Sequence, residues 1–484
     1  MVQREINCVI DFLNESFEQA QNLDAKWNNI SGKPPLFGMP FSVKGNFYVK
    51  DHDCTVGLAK FLQKPVENDC TLVTFLRSQG AIPFVITTVP QALLSFACCS
   101  SLYGITSNPH LHSRTPGGSS GGECALLTAG GSTFGIGSDL AGSLRIPASF
   151  CGVTTLKPTE GRLKVKYALK GINGKSRLPL SYGFFTKTVD EQIFLLKIVL
   201  GSEEYHEMVP HQPLFPLDER KFFVGNDRCL RIGYYIEDGF MKPVPACSRA
   251  VVQTVEKLKA AGHELVLFHL PDPENAASLF YRNLMPYGKD QLLKLYADEV
   301  IPPSFRTFIF LLKLPFYVCS TISYILSFIS TSLSIVAGSY VKSLGDLQIT
   351  HELTDQYTEK FIEQWKTLEL DALICPAFTV PAVPHDYPSR LGVCAFATGL
   401  FNLLDLPAGV VPTGTVNSED DRLLADEDSW RTGKFAGNDF ALKMLRKAAR
   451  DSAGLPVAVQ VVTLPLREEK CLSVMKEVEK VWKK

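Results

Sequence analysis

The chain has 484 residues, 45% of them hydrophobic, with 49 Lys plus Arg set against 50 Asp plus Glu. Such a composition belongs to a globular protein with a sizeable core, and a net charge of −1 provides no basic field for nucleic acid. Thirteen scattered cysteines, an odd number, argue against a secreted disulfide framework and for a reducing, cytosol-facing compartment.

The first twenty residues carry Arg4, Asp11 and Glu15 and no uninterrupted apolar run, so an amphipathic helix is expected there and a signal peptide is not. An apolar run bounded by Pro40 and Gly45 ends on Lys44. The pattern predicts a helix over 69–79 and a strand over 81–87, then a helix over 246–261 and a strand over 263–268. Further strands are expected over 371–375 and 456–462, the second followed by a helical tail. Alternation of this kind predicts an α/β layered fold with a mixed sheet, and without an internal repeat or linker it reads as one domain over 1–484.

One segment departs from the pattern. Residues 314–341 form a run of 28 without a charge, preceded by the apolar 308–312. The length suffices for a transmembrane helix, but Pro315 and many Ser and Thr residues oppose it. Two shorter helices lying at a membrane surface or capping the fold are expected within 314–341, in an apolar cap spanning 305–340; a buried helical hairpin is the alternative.

The densest chemistry lies between Thr115 and Pro147, where nine glycines fall between Gly117 and Gly142. Glycine at this density signals tight turns or close backbone approach. A helical turn is expected over 123–129 and a strand over 132–137. A phosphate loop is excluded because the stretch contains no lysine, and a dinucleotide fingerprint fails at Leu140, which stands where a third glycine is needed. GxSxG is matched at Ser119 and at Ser120, but NPHLHSRTP precedes it instead of an apolar strand. His110 and His112 lack a third ligand at useful spacing, so no metal is expected.

Lys44 offers another base. A lysine at the buried end of a strand loses solvation, its pKa falls, and it can activate a serine. GGSSGGE (117–123), GSDLAGSLRIP (137–147) and the upstream SVK (42–44) together resemble the amidase-signature family. FVITTVPQALLSF, LDLPAGVVPTGTV and GLPVAVQVVTLP are similar to its fatty acid amide hydrolases, over about residues 6–480.

That resemblance implies a central twisted mixed sheet surrounded by helices, and a Ser-Ser-Lys triad with Ser143 as nucleophile, Ser119 as bridge and Lys44 as base. It further implies a supporting hydrogen bond from Ser120, a cis Gly118–Ser119 peptide, and an oxyanion hole from the N–H groups of Leu140, Ala141, Gly142 and Ser143. Leu93, Leu94, Phe96, Thr398 and Phe401 match positions of the acyl-binding cleft. Long-chain fatty acid amides are the implied substrates, without metal or organic cofactor, in a homodimer on a cytosol-facing intracellular membrane that it touches through 305–340. The amino-terminal transmembrane helix of those enzymes has no counterpart in these residues. The chain also departs from the vertebrate pattern at Ala141, where a glycine is usual, and in GFFTK (183–187). Two alternatives share these residues: the amidase subunit of a transfer-RNA amidotransferase, and a non-catalytic fatty-amide carrier.

Overall fold

The computed structural model describes residues 2–28, 31–172, 174–210, 215–222, 229–284, 288–426, 428, 430 and 439–483. Its strands, in chain order, are β1 (Val9–Phe12), β2 (Pro40–Lys44), β3 (Ile82–Thr87), β4 (Cys99–Ser100), β5 (Gly104–Ile105), β6 (Phe134–Asp139), β7 (Thr154–Lys157), β8 (Ser181–Thr186), β9 (Arg231–Tyr234), β10 (Glu264–Leu267), β11 (Ala372–Pro376), β12 (Ala408–Thr415) and β13 (Pro456–Val462). Eleven of them form one sheet in the order β1-β3-β2-β6-β8-β7-β12-β13-β11-β9-β10, while β4 and β5 pair separately. The sheet is mixed, as expected: β2 runs parallel to both β3 and β6, and β8 runs antiparallel to β6 and β7. Its middle is buried on both faces. β13, PVAVQVV, is buried throughout, which is why it lacks the polar alternation of a half-exposed strand.

Most expected elements are found within one or two residues of their places, including helices Thr71–Ser78, Pro245–Ala260 and Glu468–Lys483. The amino terminus differs. Instead of one helix, it forms a short helix Val2–Ile6, strand β1 and a helix Ser16–Trp27. The segment Val9–Phe12 adds to the free edge of β3, where ladder hydrogen bonds outcompete a continued helix. The first four residues of GFFTK close β8, between β6 and β7, so that departure sits in the sheet.

A helix, Pro303–Lys313, leads into the uncharged segment, which forms two further short helices, Phe316–Ser327 and Thr331–Gly338, as expected. Pro315 caps the second and ends the first, and the Ser330 side chain accepts the Leu333 N–H to start the third. The first helix buries Phe305, Ile309 and Leu312, whereas no residue of the second is buried. Among the described residues no single helix is long and apolar enough to cross a membrane; the first two together are, but they bend by 111°.

Candidate active site

Three pieces of the first third of the chain build the site. β2 delivers Lys44, the turn before helix Gly121–Thr128 delivers Ser119 and Ser120, and the turn between β6 and helix Arg145–Cys151 delivers Ser143. Because β2 and β6 are parallel neighbours, both strands end on the same side of the sheet.

Lys44 is fully buried. Its amine donates to Ser119 Oγ at 2.9 Å, Ser138 Oγ at 2.9 Å and the Ser138 carbonyl at 3.1 Å. Burial lowers its pKa to about 7, against the opposing fields of Asp139 and Glu123, so a large fraction is neutral at neutral pH. The Gly118–Ser119 peptide is cis. Here the glycines allow close crossing: a Cβ at Gly122 would lie 2.5 Å from the Thr88 nitrogen. Ser120 Oγ lies 3.5 Å from the Ser138 carbonyl.

Ser143 is partly exposed, and its hydroxyl makes no hydrogen bond among the described residues. Its turn is held from beneath by Asp139. That carboxylate accepts the Gly142 N–H at 2.7 Å and the Leu144 N–H at 3.1 Å, and pairs with Arg145 at 3.1 Å. Burial pushes the Asp139 pKa up, but Arg145 and Asn402 outweigh it and hold the carboxyl below the usual carboxylate range. Arg145 is itself fully buried and donates to the Thr398 carbonyl at 2.8 Å, Asn402 Oδ1 at 2.5 Å and Gln460 Oε1 at 3.3 Å. Removing one partner from such a buried pair costs about 3–5 kcal/mol, because the other charge is stranded.

Gly142 differs from the expected role. Its N–H is taken by Asp139, which leaves the N–H groups of Leu140, Ala141 and Ser143 without a hydrogen bond among the described residues. Gly142 is needed for another reason: its φ of 121° suits glycine, and a Cβ would collide with Thr398. Thr398 donates to the Ala141 carbonyl at 2.7 Å and so fixes the turn from above.

The remaining cleft positions fall into separate clusters. Leu93 and Leu94 pack with Phe305, Ile309 and Leu312 of the first cap helix. Phe96 lies edge-on to Phe150 and Phe378 in the main core. Phe401 is buried in a second core against which Leu140 and Ala141 pack. His110 hydrogen-bonds the Cys151 carbonyl, and no group of three potential metal ligands occurs among the described residues.

Ser138, Asp139, Arg145, Asn402, Gln460 and Glu123 were not singled out from sequence. A signal existed for three of them: Glu123, Asp139 and Arg145 are the sole charged residues between Thr115 and Pro147. A charge inside a glycine-rich apolar stretch must be paired if buried. Asn402 and Gln460 carry no comparable signal.

The amidase family profile matches residues 1–472. The chain belongs to the amidase family. It is 37% identical over 485 residues to the fatty-acid amide hydrolase 1 of Sus scrofa, covering 99% of this chain and 80% of that one. With the fatty acid amide hydrolase 1 of Caenorhabditis elegans it shares 34% identity over 481 residues, covering 99% and 82%. A solved fatty acid amide hydrolase superposes with a TM-score of 0.81 at 22% identity, covering all of this amidase and 80% of that chain. The glutamyl-tRNA(Gln) amidotransferase chain solved from Thermotoga maritima has the same fold at a TM-score of 0.67 and 20% identity, covering 99% and 88%. The protein is thus an amide-hydrolysing enzyme with the amidase-signature fold.

Proposed function

We propose that this amidase cleaves long-chain fatty acid amides to fatty acid and amine through an acyl-Ser143 intermediate. The observation that carries the reading is the buried Lys44 amine 2.9 Å from Ser119 Oγ, desolvated enough to accept a proton. Neutral Lys44 takes the proton of Ser119, Ser119 takes that of Ser143, and Ser143 Oγ attacks the amide carbon. The unbonded N–H groups at Leu140, Ala141 and Ser143 are suited to receive the oxyanion, each such donor being worth about 3–4 kcal/mol of barrier. The relay then runs backwards to protonate the leaving amine, and water enters by the same route to free the acid.

Kinship with the pig and worm amide hydrolases supports the substrate class. A fluorophosphonate probe followed by peptide mapping tests the nucleophile: the adduct is expected on Ser143, and an adduct on Ser119 alone would refute this assignment. A protein that binds a long-chain amide without labelling or turnover would be a carrier.

The cap supports a lipid-surface site. Phe310, Phe316, Tyr317, Tyr324 and Phe328 are each more than half exposed, a contiguous-sequence apolar display that water disfavours. Phe308 and Leu312, by contrast, pack inward toward Leu93 and Leu94. The cap therefore joins the exposed apolar face to the loop beside Ser119. Homodimerisation and a cytosol-facing membrane location belong to the same reading. Changing Phe310, Phe316, Tyr324 and Phe328 together to serine is expected to lower liposome binding and turnover of vesicle-borne long-chain amides by about tenfold or more, with hydrolysis of a short soluble amide little changed. Equal loss of both activities would make the cap a structural element.

A further inference from the structure

Glu123 takes no part in the proton relay, yet it is fully buried beside it. Ser42 Oγ donates to its Oε2 at 2.6 Å and Thr87 Oγ1 to its Oε1 at 2.6 Å. Ser42 lies two residues before Lys44 on β2, so both side chains leave the same face of the sheet. Thr87 is the register partner of Lys44 on β3 and shares that face as well. The two hydroxyls gripping Glu123 thus flank Lys44 along its strand and across to the next. On the other side of β2, Gly135 pairs with Ser42, and a Cβ there would collide with the Glu123 carboxylate. Three strands and a helix have been shaped around this carboxyl. Burying it without a hydrogen-bonded cation costs free energy, so core packing alone would favour an apolar residue.

We propose that Glu123 is a positioning residue that sets the proton affinity of Lys44 by lodging a carboxylate on the same sheet face, clamped by Ser42 and Thr87. The inference rests on the reading of Lys44 as the base. Burial raises the Glu123 pKa to about 7, against the lowering by Ser42, Thr87 and Lys44, so the two groups titrate over the same range as a coupled pair. The other groups facing Lys44 are Asp139, Cys98 and Cys124, and Cys8 also faces Glu123. Asp139 is committed to Arg145, and burial keeps the three thiols neutral. Glu123 is therefore the adjustable charge of the set. Its carboxylate favours the ammonium form of Lys44, so its removal lets Lys44 become neutral at lower pH.

The test is the pH profile of kcat/KM on a short soluble amide for wild type, Glu123→Gln, Thr87→Val and Lys44→Ala. Glu123→Gln is expected to move the acid limb down by about 1 pH unit, the size of shift an opposite charge at close range produces. Thr87→Val removes one donor to the carboxylate and is expected to move the limb the same way by less; it carries the test if Glu123→Gln does not fold. A limb that overlays wild type in the folded variants, with only the plateau lowered, would reduce Glu123 to a packing residue. Lys44→Ala separates the two levels. If it keeps the wild-type limb, the base assignment fails; if it loses the limb while Glu123→Gln overlays wild type, the Glu123 inference alone fails.

Discussion

Ser143→Ala is expected to lower kcat by roughly 10⁴-fold or more, as loss of the nucleophile does when the catalytic groups act as a unit. The fold should survive. The turn is fixed by Asp139 through the N–H groups of Gly142 and Leu144, and by Thr398 through the Ala141 carbonyl, and none of these bonds involves the Ser143 side chain. Since that hydroxyl makes no hydrogen bond among the described residues, stability should change by no more than about 0.5 kcal/mol, as for a surface substitution. Hydrolysis, thermal unfolding and calorimetric binding of an uncleaved amide would be measured on one preparation. Substantial turnover by a folded variant would take the nucleophile role from Ser143.

Lys44→Ala is expected to cost about 10²–10⁴-fold at neutral pH, the range associated with a positioned general base. With its pKa lowered to about 7 by burial, Lys44 is protonated and inactive below that value and neutral above it. Wild-type kcat/KM should therefore rise about tenfold per pH unit up to roughly 7 and then level off. The variant should lack this plateau, its residual rate climbing with hydroxide and recovering part of the loss at high pH. Lys44→Met keeps the length of the side chain and controls for the cavity, because Ser119 and Ser138 lose their shared donor in either variant. An unchanged neutral-pH rate in either variant would make Lys44 a spectator.

Much of this was legible in the chain itself. Alternating helical and apolar runs located β3, β11 and β13 because those strands are short, apolar and bounded by turns. Glycine crowding marked the region and a lysine closing an apolar run marked a possible base, but Lys44, Ser119 and Ser143 were picked out together only by the resemblance of SVK, GGSSGGE and GSDLAGSLRIP to the amidase signature. What stayed hidden was long-range. β1 reads as the first turns of a helix, since the edge of β3 that claims it lies more than seventy residues away. Thr398 reads as cleft lining, and nothing in the sequence signals that its hydroxyl also donates to the Ala141 carbonyl, a contact across 257 positions. The helix Pro303–Lys313 was not assigned, because only its apolar 308–312 stretch stood out and Pro315 separates it from the uncharged run.

The brace beneath the nucleophile turn has a direction in time. Arg145 holds four partners, and one of them, Asp139, is local. The other three belong to Thr398, Asn402 and Gln460, between 253 and 315 positions further on. A ribosome makes the chain from the amino end, so the three candidate catalytic side chains leave it long before the groups that lock them in place. A half-made chain already holds Lys44, Ser119 and Ser143, but its guanidinium has nothing to grip beyond Asp139 until Thr398 and Asn402 have been synthesised, and it lacks Gln460 until β13 follows. Complete bracing of the active turn thereby waits until the chain has been made as far as Gln460.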